Sequence, residues 1–176
     1  PPRRGFFLSG RMLRIGDRAP DFEVKLHTGV RFRLSDQRDE RNVVLYFYPK
    51  DFTWGCTKEG CLFANHIREM STFDSMIIGV NGDGLEQHKK FAKQYKFPFP
   101  LGSDPDLEVC RNYRVLWLRG IAVRRVTYII DKKQKVRGVA HHELLIDKHW
   151  KYILRTLKQL KEEEEVARYN RQAWNL

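Results

Sequence analysis

Apolar and polar residues alternate along "FEVKL" (22–26) and "VRFRLSD" (30–36) around "HTG", a pattern that predicts a two-stranded hairpin. After the polar "RDERN", every residue from Val43 to Tyr48 is apolar or aromatic. Such an unbroken run predicts a strand buried on both faces. Pro49 ends it, because a central ladder cannot use a residue without an N–H. The period then lengthens: Leu62, Ile67 and Met70, with Phe63 beside them, give the helix after the first cysteine an apolar face. "MIIGVNGDG" is the next strand, closed by a Gly-rich turn. "LEQHKKFAKQYKF" is a helix with Leu85, His88, Phe91, Ala92 and Tyr95 on one side. "PFPLGSDPD" reads as a loop, and Asp104 as the cap of a short helix through Tyr113. "VTYIID" and "KVRGVAHH" flank "KKQK" as a second hairpin. The last helix is expected to begin near Asp147 and run through Leu160 on Ile153, Leu154, Leu157 and Leu160.

The order is hairpin, strand, helix, strand, helix, hairpin, helix. Strand–helix–strand implies a right-handed parallel crossover, while hairpins add antiparallel strands. The expected class is therefore α/β, a mixed central β-sheet flanked by helices on both faces. The chain shows no internal repeat and no second domain. A basic tail over 1–12, a domain over 13–160 and an extension over 161–176 are expected. The extension, "KEEEEVARYNRQAWNL", is acidic and then amphipathic, and either prolongs the last helix or docks on a neighbour.

With 176 residues, 41 % of them hydrophobic, the chain can build one such core. No apolar run approaches the roughly 20 residues that span a bilayer, so a soluble protein without membrane contact is expected. The net charge of +11 attracts acidic surfaces, nucleic acid included. Lys and Arg are scattered among acids without a recognition motif, however, and the excess reads as a solvated basic surface. Three cysteines are too few, and odd in number, for a disulfide-stapled secreted domain. A reducing, intracellular setting is expected, with the choice among nucleus, cytosol and organelle open. A chain starting at Pro1 without Met is expected to be trimmed or processed. Its first 16 residues carry four Arg and no acid, as an organelle transit peptide, a nuclear address or a plain basic tail would.

Two of the thiols, Cys56 and Cys61, lie in "YFYPKDFTWGCTKEGC" (46–61). Cys56 follows a strand and a loop and falls in the first turn of a helix. Unpaired N–H groups and the positive end of the helix dipole favour a thiolate there. Thr53, three residues earlier, can offer its hydroxyl to the sulfur or to a substrate oxygen. Five helical residues rise about 7.5 Å and leave the two Cα atoms about 8.6 Å apart. A disulfide cannot form beyond about 7 Å without backbone movement. If both cysteines lie on one helix, they pair only after its first turn unwinds.

The pattern Pro49-x-x-x-Thr53-x-x-Cys56 resembles the active-site signature of peroxiredoxins. A second cysteine five residues on resembles the bacterioferritin comigratory protein branch of that family. The likeness runs from Leu13 to Leu160, through "GDRAPDFEV", the cysteine segment, "RVTYIID" and the last helix. It implies a thioredoxin-like fold with an N-terminal β-hairpin. It also implies a thiol-specific peroxidase of the atypical two-cysteine type, acting in antioxidant defence and redox homeostasis. Hydrogen peroxide and organic hydroperoxides are the implied substrates, and thioredoxin or a similar dithiol protein the reductant.

By the same resemblance Cys56 attacks the peroxide and becomes a sulfenic acid, and Cys61 resolves it as an intramolecular disulfide. Thr53 hydrogen-bonds thiolate and peroxide, and Pro49 shields the pocket from water. Arg125 lowers the thiol pKa and holds the peroxide, with Arg124 the alternative if the register shifts by one. Glu59 orients that arginine. The physics agrees: attack spreads negative charge from sulfur onto two oxygens, which preorganised donors and a permanently charged guanidinium stabilise. The chemistry needs neither metal nor organic cofactor, and the branch is often monomeric.

One residue departs from the branch: Trp54 stands where Pro is common. Its indole either narrows access, offers a docking surface to the reductant, or packs against the loop. Other readings are weaker. Zinc would need Cys56, Cys61 and His66, which point in different directions on a helix, and His141, His142 and His149 add no matched pair. A general thiol–disulfide oxidoreductase would want Cys-x-x-Cys. Cys110 reads as a small buried apolar residue. His88 and His142 read as surface or cap residues.

Overall fold

The strand Asn42–Phe47 (β3) is an interior strand of the sheet, and all six of its residues are buried. Its alternate side chains serve two cores. Val43, Leu45 and Phe47 join Val24, Ile78, Val80, Tyr113 and Tyr128 on one face. Val44 and Tyr46, followed by Tyr48, join Phe63, Met70, Phe91, Ile153 and Leu157 on the other. This is why the run shows no polar alternation: each face of the strand has a core of its own. The computed structural model describes residues 11–141 and 146–174. Positions 1–10 of the basic tail, and His142, lie outside them.

The other strands are β1 (Glu23–Leu26), β2 (Arg31–Arg33), β4 (Ser75–Asn81), β5 (Leu101–Ser103), β6 (Leu116–Trp117), β7 (Ala122–Val123), β8 (Val126–Ile130) and β9 (Val136–His141). Seven of the nine form one sheet in the order β2-β1-β5-β4-β3-β8-β9, and β6 pairs only with β7. β3, β4 and β5 are parallel, while β1, β2, β8 and β9 pair antiparallel, so the sheet is mixed as expected. The helices are α1 (Trp54–Ser71), α2 (Leu85–Tyr95), α3 (Glu108–Asn112) and α4 (Ile146–Trp174). α1, α2 and α4 give buried residues to the Tyr46 face, and α3 gives Val109 and Cys110 to the opposite face. Among the described residues no helix is long and apolar enough to cross a membrane.

Several boundaries differ from expectation. "PFPLGSDPD" contains β5, held by β4 on one side and β1 on the other. Three residues between turns are too few for a period to show. The second strand of the first hairpin stops at Arg33, and Leu34–Gln37 turn into a 3-10 helix. Asp104 caps α3 as expected, its carboxylate accepting from the N–H groups of Val109 and Cys110. The extension prolongs α4 to Trp174. Lys132 on Glu164, Arg137 on Glu163 and Lys161 on the Thr72 carbonyl tie its beginning down, each exposed ion pair adding about 0–1 kcal/mol.

The buried stripe of α1 comprises Cys56, Glu59, Gly60, Phe63 and Met70, while Leu62 and Ile67 flank it half-buried. A carboxylate and a glycine hold places that periodicity assigns to apolar side chains. Gly60 is there because Phe97 is close: an added Cβ would run into its ring. Gly79 plays the same part in the sheet, where a Cβ would stand 2.5 Å from the fully buried ring of its register partner Tyr46. Gly79→Ala is expected to cost about 1–3 kcal/mol in urea unfolding, because that ring must shift in a packed core. An unchanged midpoint would show that Tyr46 has room to move.

Candidate active site

β3 ends at Phe47, and the chain leaves the sheet through Pro49, Lys50, Asp51, Phe52 and Thr53 before α1 begins at Trp54. Cys56 is therefore the third residue of α1, close to the positive end of an 18-residue helix. Thr53 is the N-cap but makes no side-chain cap bond. The first N–H groups of α1 thus have neither an intrahelical nor a capping partner, as donors for an anion should. Cys56 itself is buried, 2 % exposed.

Arg125, immediately before β8, reaches the same place from across the sheet. Its Nη2 donates to Cys56 Sγ at 3.2 Å, and its Nη1 donates to Glu59 Oε2. Arg125 is 5 % exposed and Glu59 fully buried. Burial opposes charge on the guanidinium, but Glu59 and Cys56 outweigh it and hold Arg125 above its ordinary pKa. Gly55 belongs to the same geometry: a Cβ there would stand 3.1 Å from Arg125 Nη2. Beneath the site, burial first and the negative charge of Glu59 next raise the Tyr46 hydroxyl well above its ordinary value, so it stays protonated.

Cys56, Arg125 and Glu59 thus meet in one buried cluster. Arg124 is turned away, its guanidinium 6.0 Å from the Trp117 ring centroid. Cys61 is half-buried one and a half turns further along α1, and all three cysteines are free thiols. Pro49 and Thr53 lie on the exposed loop, and the Thr53 hydroxyl donates to the Lys50 carbonyl at 3.0 Å rather than to the sulfur. Burial pushes the Cys110 thiol far up, and Asp104 beside it adds to the effect. Trp54 is 78 % exposed, so it does not pack against the loop; Lys58 lies 5.6 Å over its ring. Among the described residues no three His, Cys, Asp or Glu side chains converge as a metal site would require.

Two features escaped the sequence reading. His149 on α4 is 1 % exposed, with Nδ1 3.7 Å from Glu59 Oε1, so the last helix reaches the cluster. His88 is fully buried, its Nδ1 2.7 Å from Asp51 Oδ2, and is neither a surface nor a cap residue. His88 shares its side of α2 with Phe91 and Ala92, which is a sequence signal for burial. Nothing in the sequence marks His149, whose partner lies 90 positions away.

Comparison with known proteins shows the family. The model of the AhpC/TSA family matches residues 15–139. Peroxiredoxin Bcp of Bacillus subtilis is 34 % identical over 156 residues, covering 85 % of this chain and 98 % of the relative. The chloroplastic peroxiredoxin Q of Sedum lineare is 37 % identical over 147 residues, 83 % of this chain and 78 % of the relative. The crystal structure of peroxidoxin BcpB from Mycobacterium tuberculosis superposes with a TM-score of 0.78 at 35 % identity, covering 84 % of this chain and 97 % of that one. A structure of the Xanthomonas campestris bacterioferritin comigratory protein, studied for alkyl peroxide reduction, gives 0.74 at 28 % identity over 80 % and 92 %. The fold is the thioredoxin-like one of these neighbours. The chain belongs to the AhpC/TSA family and is a peroxiredoxin, a thiol peroxidase of the bacterioferritin comigratory protein branch.

Proposed function

We propose that this peroxiredoxin is of the atypical two-cysteine type, with Cys56 as the peroxidatic thiol and Cys61 as the resolving one. The observation that carries the reading is the Arg125 Nη2 contact on Cys56 Sγ, 3.2 Å, at the start of α1. The Cys56 thiolate attacks the terminal oxygen of a hydroperoxide. An S–O bond forms, the O–O bond breaks, and the departing alkoxide or hydroxide takes a proton to leave as alcohol or water. Negative charge moves from sulfur to oxygen between Arg125 and the N–H groups of α1, donors already in place before the reaction. Glu59 holds the guanidinium plane, and Thr53 and Pro49 border the approach from the loop. Hydrogen peroxide and organic hydroperoxides are the substrates, a reading favoured by the alkyl peroxide activity of the Xanthomonas relative.

Resolution needs a change of shape. Both cysteines lie in α1, which sets their Cα atoms about 8.6 Å apart, beyond the roughly 7 Å that a disulfide bridges. The first turns of α1 open, the Cys61 sulfur attacks the sulfenic acid, and its hydroxyl departs as water with the Cys61 proton. Opening at a helix end is a local event that leaves the core intact. A dithiol protein of the thioredoxin kind then reduces the disulfide by exchange. The bond lies within one chain, so the cycle runs in a monomer.

With thioredoxin and its reductase present, Cys56→Ser is expected to consume peroxide no faster than the uncatalysed mixture. Full activity in that variant would end the mechanism. Cys61→Ser should complete one oxidation but lose sustained turnover with thioredoxin; normal cycling would remove only the resolving role. Arg125→Leu is expected to slow oxidation of Cys56 by about 100- to 1,000-fold, the scale for losing an oxyanion donor, in stopped-flow mixing with peroxide. Trp54 lies at the start of α1, so its emission should differ between thiol and disulfide forms, and Trp54→Phe should abolish most of the difference. Identical spectra of the two wild-type forms would count against the opening of α1.

A further inference from the structure

The reaction just described makes no use of Asp51 or His88, although both are buried, Asp51 within the loop that carries Pro49 and Thr53 and His88 on α2 against it. The bonds around them form a closed set. Asp51 Oδ1 accepts from the Tyr48 hydroxyl at 2.7 Å and from Asn81 Nδ2 at 3.2 Å. Asp51 Oδ2 faces His88 Nδ1 at 2.7 Å, and His88 Nε2 faces the Gly102 carbonyl at 3.2 Å. The Asp51 N–H donates to Asp83 Oδ2 at 2.7 Å, and the Asp83 N–H donates to Asn81 Oδ1 at 2.7 Å. Tyr48 just after β3, Asn81 at the end of β4 and His88 of α2 thus converge on one loop carboxylate, with the Gly102 carbonyl of β5 behind the imidazole. A buried polar network with every bond made is rigid, and one with a bond missing is costly.

The next loop residue is held from the same helix. Phe52 has φ of 62°, a left-handed conformation that a bulky side chain keeps only when its surroundings impose it. Its ring centroid lies 5.0 Å from that of Phe91 and 6.4 Å from that of Tyr95. His88, Phe91 and Tyr95 are spaced i, i+3 and i+7, so they form one face of α2. That face receives Asp51 at one end and Phe52 at the other.

We infer that this face of α2 is a clamp on the loop 49–53, which holds it still while the first turns of α1 open and close, and that His88 is a positioning residue for the peroxide step. The inference rests on the two-cysteine reading above. Opening of α1 would otherwise spread back into the loop, because among the described residues the Thr53 side chain is tied only to the Lys50 carbonyl of the same loop. Pro49 and Thr53 would then have to be placed anew in every cycle. With the clamp, the moving segment starts at Trp54 and the thiol returns to a prepared place.

Three variants test this: His88→Phe, which fills the space without the bonds; Tyr48→Phe, which removes one donor to Asp51; and Asp51→Asn. In the last, the amide still accepts from Tyr48 and can donate to His88 Nδ1, so a neutral imidazole keeps its Nε2–H on Gly102. Hydrogen exchange of the reduced proteins is expected to show faster exchange across 50–53 in His88→Phe and Tyr48→Phe, and wild-type protection in Asp51→Asn. Stopped-flow mixing with peroxide should show the oxidation of Cys56 slowed roughly 10- to 100-fold in His88→Phe and several-fold in Tyr48→Phe, the scale of a small misplacement. It should be near the wild-type rate in Asp51→Asn, and formation of the disulfide should be little changed in all three. Loop exchange or peroxide rate unchanged in a folded His88→Phe overturns the clamp, and if that variant does not fold, the same result in Tyr48→Phe overturns it. A wild-type protein that fails to form the Cys56–Cys61 disulfide would sink the functional reading instead, while the exchange arm still decides whether α2 holds the loop.

Discussion

A carboxylate with no exposed surface, Glu59, governs the arrangement of this protein. A buried charge is tolerated only when a partner of opposite sign is held against it, and removing that partner costs about 3–5 kcal/mol. Arg125 is the partner, and because it precedes β8 while Glu59 belongs to α1, the pairing joins the helix to the far side of β3. One guanidinium nitrogen is then spent on Glu59 and another is aimed at Cys56. The same constraint crowds any side chain at Gly55 against Arg125, and it explains why α1 carries an acid in the middle of its buried stripe.

The proposed two-cysteine cycle asks the site to be rigid for one step and to yield for the next, and the packing divides these demands along α1. Phe63 and Met70 are fully buried, and His66 stacks on Trp150 of α4 with ring centroids 4.4 Å apart. Burying a side chain such as Phe63 is worth about 1.5–3 kcal/mol, so the later turns of the helix are hard to move. The first turns bear an exposed Trp54, a Gly at position 55 and half-buried residues at 57, 61 and 62, and their buried side is made of Cys56, Glu59 and Gly60 rather than large apolar side chains. In the proposed cycle they are the part that yields. With the loop before them gripped by α2, the segment free to rearrange is short and has a fixed point at each end.

Much of the fold was legible from the chain. β3 showed itself as an unbroken apolar run because both of its faces are covered, and the first hairpin showed itself through alternation. What escaped was short or contrary to pattern. β5 has three residues, and it is a strand only because β1 and β4 lie on its two sides. Glu59 and Gly60 interrupt the apolar stripe of α1 because each answers a distant residue, Arg125 in one case and Phe97 in the other. His149 and Glu59 are 90 positions apart, and His88 and Asp51 are 37, so no local pattern could pair them.

Local pattern was enough to set the chemistry on offer: a thiol at the head of a helix, a second thiol at a spacing that no intact helix can bridge, and a fold of mixed strands able to carry them. These follow from the order of residues, since propensity, periodicity and helix geometry act over a few positions. Folding in three dimensions then chose which arginine meets the sulfur, turned Thr53 back to its own loop, and buried Asp51 with His88. The first and last of these join residues distant in the chain, and they exist because burial obliges a polar group to find a partner wherever the fold brings one near.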